Sequence, residues 1–546
     1  MAHHAGTPSA HLDPFTQNHL PPPDQWPELV FNLPELHYPR RINCVAELLD
    51  HMVSMGHGEK AAILTYTHNW NYRHLQQQVN RIANVLTREM KLVPGNRVLL
   101  RGTNTPMMAA CVLAVMKAGL VAVPTMPLLR AKELGTIINK AQVNAALCAF
   151  ELKDEMQLAQ QQCASILSAP HLAFFHDDSA NGLEARMAQQ SPVFDAVDTA
   201  ATDVCLIGFT SGTTGIPKGT MHFHRDILAI CDCFPRSTLH SHENDIFIGV
   251  PPLAFTFGLG GLLLFPLRVG ATTVLLEKLN PESLMKAIGD FKASICFTGP
   301  TFYRQMATLA PRFDLSSLKK CVSAGEALPA AIRAAWKAAS GIEMIDGIGA
   351  TEMLHIFISA AGHEARAGAT GKVIPGYQAC ILDEAGQPVG PGVVGRLAVK
   401  GPTGCRYLTD ERQKNYVHNG WNLTGDAYEM DADGYFWYRA RTDDMIISAG
   451  YNIAAPEVEE ALFMHAAVAE CAVIGVPDEE RGQIVKAVIV VKDGVNANEA
   501  LALELQNFVK QAIAPYKYPR AIEFRSSLPR TETGKVQRFR LKITEA

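Results

Sequence analysis

Short β-branched runs alternate with helix-length segments from residue 61 to beyond residue 339, and no other feature constrains the fold as strongly. Residues 61–66, 97–100 and 120–123 read as strands, with a helical stretch at 106–117. The rhythm recurs at 204–208, 245–250, 272–276, 294–297 and 319–323, each followed by helix-length sequence such as 281–291 or 328–339. Such alternation is the mark of parallel sheets covered by helices on both faces. The expected class is therefore α/β, and ligands in it gather at the carboxyl ends of strands.

After Gly371 the texture changes. Gly386, Pro388, Gly390, Pro391, Gly392 and Gly395 crowd together and a short strand pattern follows at 396–400, which reads as a smaller antiparallel element. A second shift falls at 441–444. Beyond it a helix at 456–462, strands at 468–476, 484–491 and 521–525, and a helix at 498–512 suggest a compact α+β domain. The expected organisation is a large body, residues 1–442, and a small carboxyl-terminal domain, residues 443–546.

Composition narrows the functional classes. Of 546 residues 48% are hydrophobic, which excludes a mainly disordered chain. Lys plus Arg number 49 against 54 Asp plus Glu, a net −5 that argues against a nucleic-acid partner. The twelve cysteines run from Cys44 to Cys471 without a CxxC pair or zinc spacing, so free thiols in a reducing cytoplasm are expected rather than a structural metal or a disulfide framework. Residues 1–18 lack the basic and apolar regions of a signal peptide. Residues 246–267 carry no charge and are long enough to span a bilayer. Pro251, Pro252, Pro266, Gly249, Gly258, Gly260 and Gly261 interrupt them, which favours a strand, a glycine-rich loop and a core helix over membrane insertion.

One motif carries phosphate chemistry. Thr210, Ser211, Gly212, Thr213, Thr214, Gly215, Ile216, Pro217, Lys218 and Gly219 follow directly on a strand. Small residues leave backbone N–H groups free to curl around phosphate oxygens, hydroxyls add donors, and Lys218 adds a compact positive charge. Pro217 and Gly219 flank the lysine, so this is not a Walker loop.

With that motif the chain resembles the adenylate-forming enzymes: acyl-CoA and aryl-CoA synthetases, luciferases and peptide-synthetase adenylation domains. The likeness runs over residues 40–545, and five more motifs follow in the family's order. They are Ser323-Ala-Gly325-Glu326-Ala-Leu-Pro329, Asp346-Gly347-Ile348-Gly349-Ala-Thr351-Glu352, Gly420-Trp-Asn-Leu-Thr-Gly-Asp426, Arg441-Thr-Asp443-Asp444 with Gly450-Tyr-Asn-Ile453, and Pro529-Arg-Thr-Glu-Thr-Gly-Lys535.

The resemblance implies two half-reactions, acid plus ATP to acyl-AMP and pyrophosphate, then thiolate attack to acyl-CoA. ATP, Mg²⁺ and coenzyme A are the implied cofactors. Lys535 is the implied catalytic cation, Thr351 an α-phosphate partner and Glu352 the magnesium contact. Gly325, Glu326, Asp346, Gly347 and Ile348 fall on the adenine side, and Asp426 and Arg441 at the ribose. Asp443 is the implied hinge, with Ser448, Ala449 and Gly450 beside the pantetheine path. Ile348 stands where many members carry Tyr, Ala440 replaces a usual Gly, and Pro456 sits one place late.

For the acid, Phe255, Phe257 and Gly258 align with the family's pocket wall. The run from Asp346 to Phe357 is similar to benzoate-CoA and 2-aminobenzoate-CoA ligases. There Gly349 and His355 fall at the aryl pocket, with a buried structural role for His355 equally open. Few polar groups suit a flat aromatic acid. The expected function is an aryl-CoA ligase for benzoate or 2-aminobenzoate. The alternatives are an adenylation enzyme loading a carrier protein, a synthetase for other medium-size acids, or a non-catalytic binding relative. Monomer and homodimer stay open.

Overall fold

The computed structural model describes residues 7–210, 217–448, 451–478, 481–513, 515–530 and 536–543. The expected α/β alternation folds into two helix-covered sheets. One has six strands in the spatial order Leu172–Phe175, Ala145–Ala149, Arg97–Arg101, Val121–Thr125, Val204–Thr210 and Lys218–Phe223. Neighbours are parallel except the last two, which form an antiparallel pair. All five residues of Arg97–Arg101 and of Val121–Thr125 are buried, as strands covered on both faces require.

The other sheet has nine strands. Its parallel run passes from Met344–Gly349 through Lys320–Ala324, Ile295–Thr298, Ile246–Gly249 and Thr272–Val274 to Ala61–Leu64. Antiparallel strands finish both edges. Helix Pro106–Lys117 is apolar all round and buried from Met107 onward, as a helix without a polar face must be. Thr105 caps it by accepting from the Met108 N–H at 3.1 Å. Its one charge, Lys117, is 1% exposed, and its amine is held by Asp50 at 2.7 Å and Asn80 at 2.6 Å.

The uncharged segment 246–267 has the expected strand and core helix, but the expected glycine-rich loop is helical. The loop falls at 250–255, and Gly258, Gly260 and Gly261 lie in the helical run after it because their missing side chains let it pack closely. Strand Ile246–Gly249 leads to helix Thr256–Leu259, a π-helical turn Gly260–Leu264 and helix Phe265–Arg268. The wide turn falls where two glycines meet rings: a Cβ on Gly260 would lie 2.4 Å from His355, and one on Gly261 2.5 Å from Phe297. Among the described residues no helix is long and apolar enough to cross a membrane. All twelve cysteines are free thiols, and every one except the half-exposed Cys380 is buried.

Two compact units emerge, Met1–Ala379 with Val399–Asn422, and Cys380–Ala398 with Leu423–Ala546. The second contains the α+β part expected near the carboxyl end. Strands Val468–Asp478 and Gly482–Val491 are antiparallel, and Ala521–Phe524 joins the latter in parallel. Strand Val468–Asp478 is buried on both faces. Cys471 and Val473 pack with Leu462, Leu505 and Val509, while Ala472, Ile474 and Val476 meet Leu528 and Leu541. Asn498 caps helix Glu499–Ala512 by accepting from the Leu501 N–H at 3.0 Å.

A short segment completes the first unit. Residues 406–408 run beside strand Lys218–Phe223, with Met221 N–H donating to Arg406 O and Leu408 N–H to Gly219 O, both at 2.8 Å. Alternation along an extended chain sends successive side chains to opposite faces. Arg406 turns to one face, fully buried against Asp226, with its guanidinium 4.0 Å from the Phe223 ring centroid. Tyr407 turns to the other. Arg406→Met should lower stability by about 3–5 kcal/mol because it strands a buried carboxylate, and adding Asp226→Leu should recover most of the loss. Urea unfolding of the single and double variants checks both outcomes.

Candidate active site

The carboxyl end of strand Val204–Thr210 and the beginning of Lys218–Phe223 place Thr210 opposite Lys218, at the two ends of the glycine-rich loop. Beyond strand Met344–Gly349 a tight turn, Thr351–Met353, presents Glu352. Its backbone is unusual at the next residue, Leu354, where φ is +69°, a conformation that non-glycine residues adopt at a cost. Gly349 permits the turn, since a Cβ there would stand 2.8 Å from the His355 carbonyl group.

Three side chains from separate parts of the chain meet at this point. The Lys218 ammonium lies 3.3 Å from Glu352 Oε1 and donates to the Tyr407 hydroxyl at 2.8 Å. Tyr407 in turn donates to Oε1. Glu352 Oε2 takes no hydrogen bond from any described residue. The ammonium also sits 5.0 Å from the Tyr407 ring centroid and 5.9 Å from that of Tyr416. Burial and then the Glu352 charge push the Tyr407 phenol far up, so it stays protonated and remains a donor.

His222 backs the Thr-Glu turn. It is fully buried, and its Nε2 donates to Thr351 O at 2.8 Å, the carbonyl requiring the Nε2–H tautomer. Burial lowers it to about 4, with Arg406 adding to the fall and Asp226 opposing it. Asp346, on the strand leading to the turn, is pushed up to about 7 by burial, against the pull of Arg333.

On the other side of the turn His355 enters an aromatic box. Its ring centroid lies 4.5 Å from Phe265, 5.8 Å from Phe257 and 5.9 Å from Phe234. Phe257 also packs on Phe297 at 5.5 Å. Both ring nitrogens of His355 lack a hydrogen-bond partner of good geometry among the described residues, and burial lowers the imidazole to about 3. Phe255 is half-buried at the N-terminus of helix Thr256–Leu259, and Gly258 packs against the carbonyls of Pro251 and Pro252.

The remaining expected residues fall as follows. Gly325 and Glu326 are exposed, and Glu326 accepts from Thr301 at 3.3 Å. Gly347 and Ile348 lie on strand Met344–Gly349, next to a register shift between Ile348 and Gly349. In the second unit Asp426 pairs with Arg441 across antiparallel strands, and Arg441 Nη1 donates to Asp426 Oδ1 at 3.1 Å and to Thr424 O at 3.2 Å. Asp443 falls in a 3₁₀ turn, Thr442–Asp444, and Ser448 is buried at the end of strand Met445–Ser448. Ser211, Gly212, Thr213, Thr214, Gly215, Ala449, Gly450 and Lys535 lie outside the described residues.

The structure adds Tyr407 and His222 to the expected set. Neither lies in a motif that the sequence singles out, His222 falling just past Lys218 and Gly219, and only their neighbours in space reveal them. The Gly-Pro-rich approach to Tyr407, Gly401-Pro-Thr-Gly404, is the one local signal that a backbone passes close by.

Comparison with known proteins shows the family to which the chain belongs. The model of the AMP-binding enzyme family matches residues 52–407, and that of the AMP-binding enzyme C-terminal domain matches residues 457–535. A benzoate–CoA ligase of Thauera aromatica is 35% identical over 518 residues, covering 93% of this chain and 97% of its own. The crystal structure of the anthranilate CoA ligase AuaEII in complex with anthranoyl-AMP superposes with a TM-score of 0.86 at 33% identity, covering 93% of this chain and 98% of that one. A benzoate CoA ligase from Burkholderia xenovorans LB400 gives 0.81 at 31%, covering 92% and 100%. The chain belongs to the AMP-binding, adenylate-forming enzyme family. Within it, the protein is an AMP-forming acid–CoA ligase.

The buried histidine sets an acid limit on this site. An unfolded chain takes up a proton at His222 near its ordinary 6.5, whereas the folded protein resists until about 4. The contribution of His222 to stability therefore falls as pH drops from 6.5 to 4 and is constant below, while His355, lowered to about 3, continues the fall. His222→Gln, which keeps a donor for Thr351 O, should reduce that slope by about one proton, or about 1.4 kcal/mol per pH unit. Urea midpoints measured across this range test it.

Proposed function

We propose that this enzyme is an ATP-dependent aryl-CoA ligase that activates benzoate or 2-aminobenzoate as the acyl-AMP and passes the acyl group to coenzyme A. The observation that carries this reading is the aromatic box around His355. Phe234, Phe265 and His355 are buried and packed on one another with the half-buried Phe257 against them, so the wall beside the turn that presents Thr351 and Glu352 is built of rings with almost no hydrogen-bonding groups. A straight acyl chain gains apolar burial against rings, and an aromatic acid gains about 0.5–1.5 kcal/mol more from each ring–ring contact. The likeness to the benzoate and anthranilate ligases supports the same class.

Residue roles follow the chemistry. Attack of a carboxylate on the α-phosphate joins two anions, so the site must supply positive charge and donors. Lys218 and Thr210, with Ser211, Gly212, Thr213, Thr214 and Gly215, bind the phosphates. Thr351 donates to the α-phosphate, and Lys535 neutralises charge developing between acid and phosphate. Gly325, Glu326, Asp346, Gly347 and Ile348 take the adenine side, where aliphatic contact replaces ring stacking. Asp426 accepts from the ribose hydroxyls, and Arg441 adds a charge that cannot be lost. Phe255, Phe257, Gly258, Gly349 and His355 surround the ring.

Glu352 fits a magnesium contact. Mg²⁺ keeps several waters and usually takes only one or two carboxylates besides phosphate oxygens, and Oε2 is unengaged by any described residue. When bound, the ion would screen the phosphate charge.

Residues 443–546 act as a mobile domain on the body 1–442, pivoting at Asp443. The pivot exchanges Lys535 for Ser448, Ala449 and Gly450, which flank the path of the pantetheine thiol. Two separately matched regions, 52–407 and 457–535, support a division between them. A cytoplasmic address suits twelve free thiols.

A pyrophosphate-release screen over benzoate, 2-aminobenzoate, hydroxybenzoates, phenylacetate and medium-chain fatty acids should rank the first two highest. Preference for a fatty acid would overturn the aryl reading. Lys535→Ala should abolish acyl-AMP formation yet leave thioester formation from supplied acyl-AMP largely intact. Equal loss of both half-reactions would refute the exchange of Lys535 out of the site.

A further inference from the structure

We infer that Tyr407 is a positioning residue for the carboxylate that meets the metal: by holding Glu352 Oε1, it leaves Oε2 to the divalent cation that accompanies ATP. This rests on the reading of Glu352 as the magnesium contact. Tyr407 is not on the Thr-Glu turn. It comes from the segment 406–408, whose pairing beside strand Lys218–Phe223 and whose buried Arg406 fix the direction in which the phenol points.

The geometry gives the hydroxyl a task that the ring alone cannot perform. Lys218 and Glu352 form a direct ion pair through Oε1 at 3.3 Å, a contact that a phosphate binding Lys218 would weaken, leaving the carboxylate without its cation. The hydroxyl stands between them in hydrogen-bond terms, accepting from Lys218 at 2.8 Å and donating to Oε1. Each charge thus keeps a partner that a bound nucleotide need not displace. Tyr407 is 1% exposed and Glu352 7%, so water does not readily take over from the phenol. With Oε1 taken twice, Oε2 is the oxygen without a protein hydrogen bond among the described residues.

Tyr407→Phe removes the hydroxyl and keeps the ring beneath the ammonium. Calorimetric titration of the full chain with ATP at a series of Mg²⁺ concentrations gives the midpoint of the metal requirement without turnover. The midpoint should rise about tenfold in Tyr407→Phe, the loss expected for one hydrogen bond to a charged group. KM for ATP should rise with it while KM for the acid stays unchanged. Lys218→Met, which removes the other partner of Oε1, should weaken ATP binding at every Mg²⁺ concentration without moving the midpoint. A wild-type midpoint in Tyr407→Phe overturns the inference, as does an equal shift in Lys218→Met, which would make the effect a property of the whole cluster. Glu352→Gln separates the two layers. If it too keeps the wild-type midpoint, the metal role of Glu352 fails. If it shifts while Tyr407→Phe does not, only the role of Tyr407 fails.

Discussion

The buried pair between Arg406 and Asp226 is the contact on which the site's geometry depends. Arg406 is fully buried, held by Asp226 and stacked on Phe223, so the segment 406–408 cannot slide by one residue without exposing an apolar face and burying an unpaired charge. The same register that sends Arg406 to Asp226 sends Tyr407 to Lys218 and Glu352. Asp226 lies on helix His224–Asp232, which follows directly on the strand that begins with Lys218. A structural ion pair and the polar cluster of the site are therefore two faces of one strand pairing.

Around that point the fold concentrates charge where parallel strands end. Inside the sheets, continuous apolar strands and a wholly apolar helix leave little place for polar groups. Lys218, Glu352 and Tyr407 are polar groups with a use outside the core. The neighbouring box of rings around His355 is apolar, with the imidazole held neutral by burial. The Thr-Glu turn lies beside that apolar wall, so its polar groups sit in a medium of low dielectric. Low dielectric strengthens donor contacts, which is what an anionic reaction needs.

Much of this was legible in the residue order. The β–α rhythm gave the parallel sheets because a buried strand must be apolar and a crossover must be long enough for a helix. The uncharged stretch 246–267 resolved into strand, turn and helices because Gly260 and Gly261 pack against rings. Lys218 and Glu352, from two separate motifs, lie 3.3 Å apart, and Asp426 pairs with Arg441, a contact that neither motif shows by itself. His355 was ambiguous between pocket and core, and it is in fact buried among rings with its nitrogens unpaired among the described residues. Tyr407 and His222 were not legible, because neither belongs to a recognisable motif and the partners that give each a place, Lys218 with Glu352 for Tyr407 and Thr351 for His222, are far away in the chain.

By itself the sequence determined the fold class, the family and the residue types the chemistry needs, since periodicity and motif order are local properties of the chain. Tertiary structure alone decided which oxygen of Glu352 is taken, what holds it, and which rings enclose His355. Those depend on contacts between residues such as Lys218, Glu352 and Tyr407, which are far apart in sequence. Strand pairing brings Tyr407 beside Lys218, and the turn Thr351–Met353, which follows a strand of the other sheet, brings Glu352 to both.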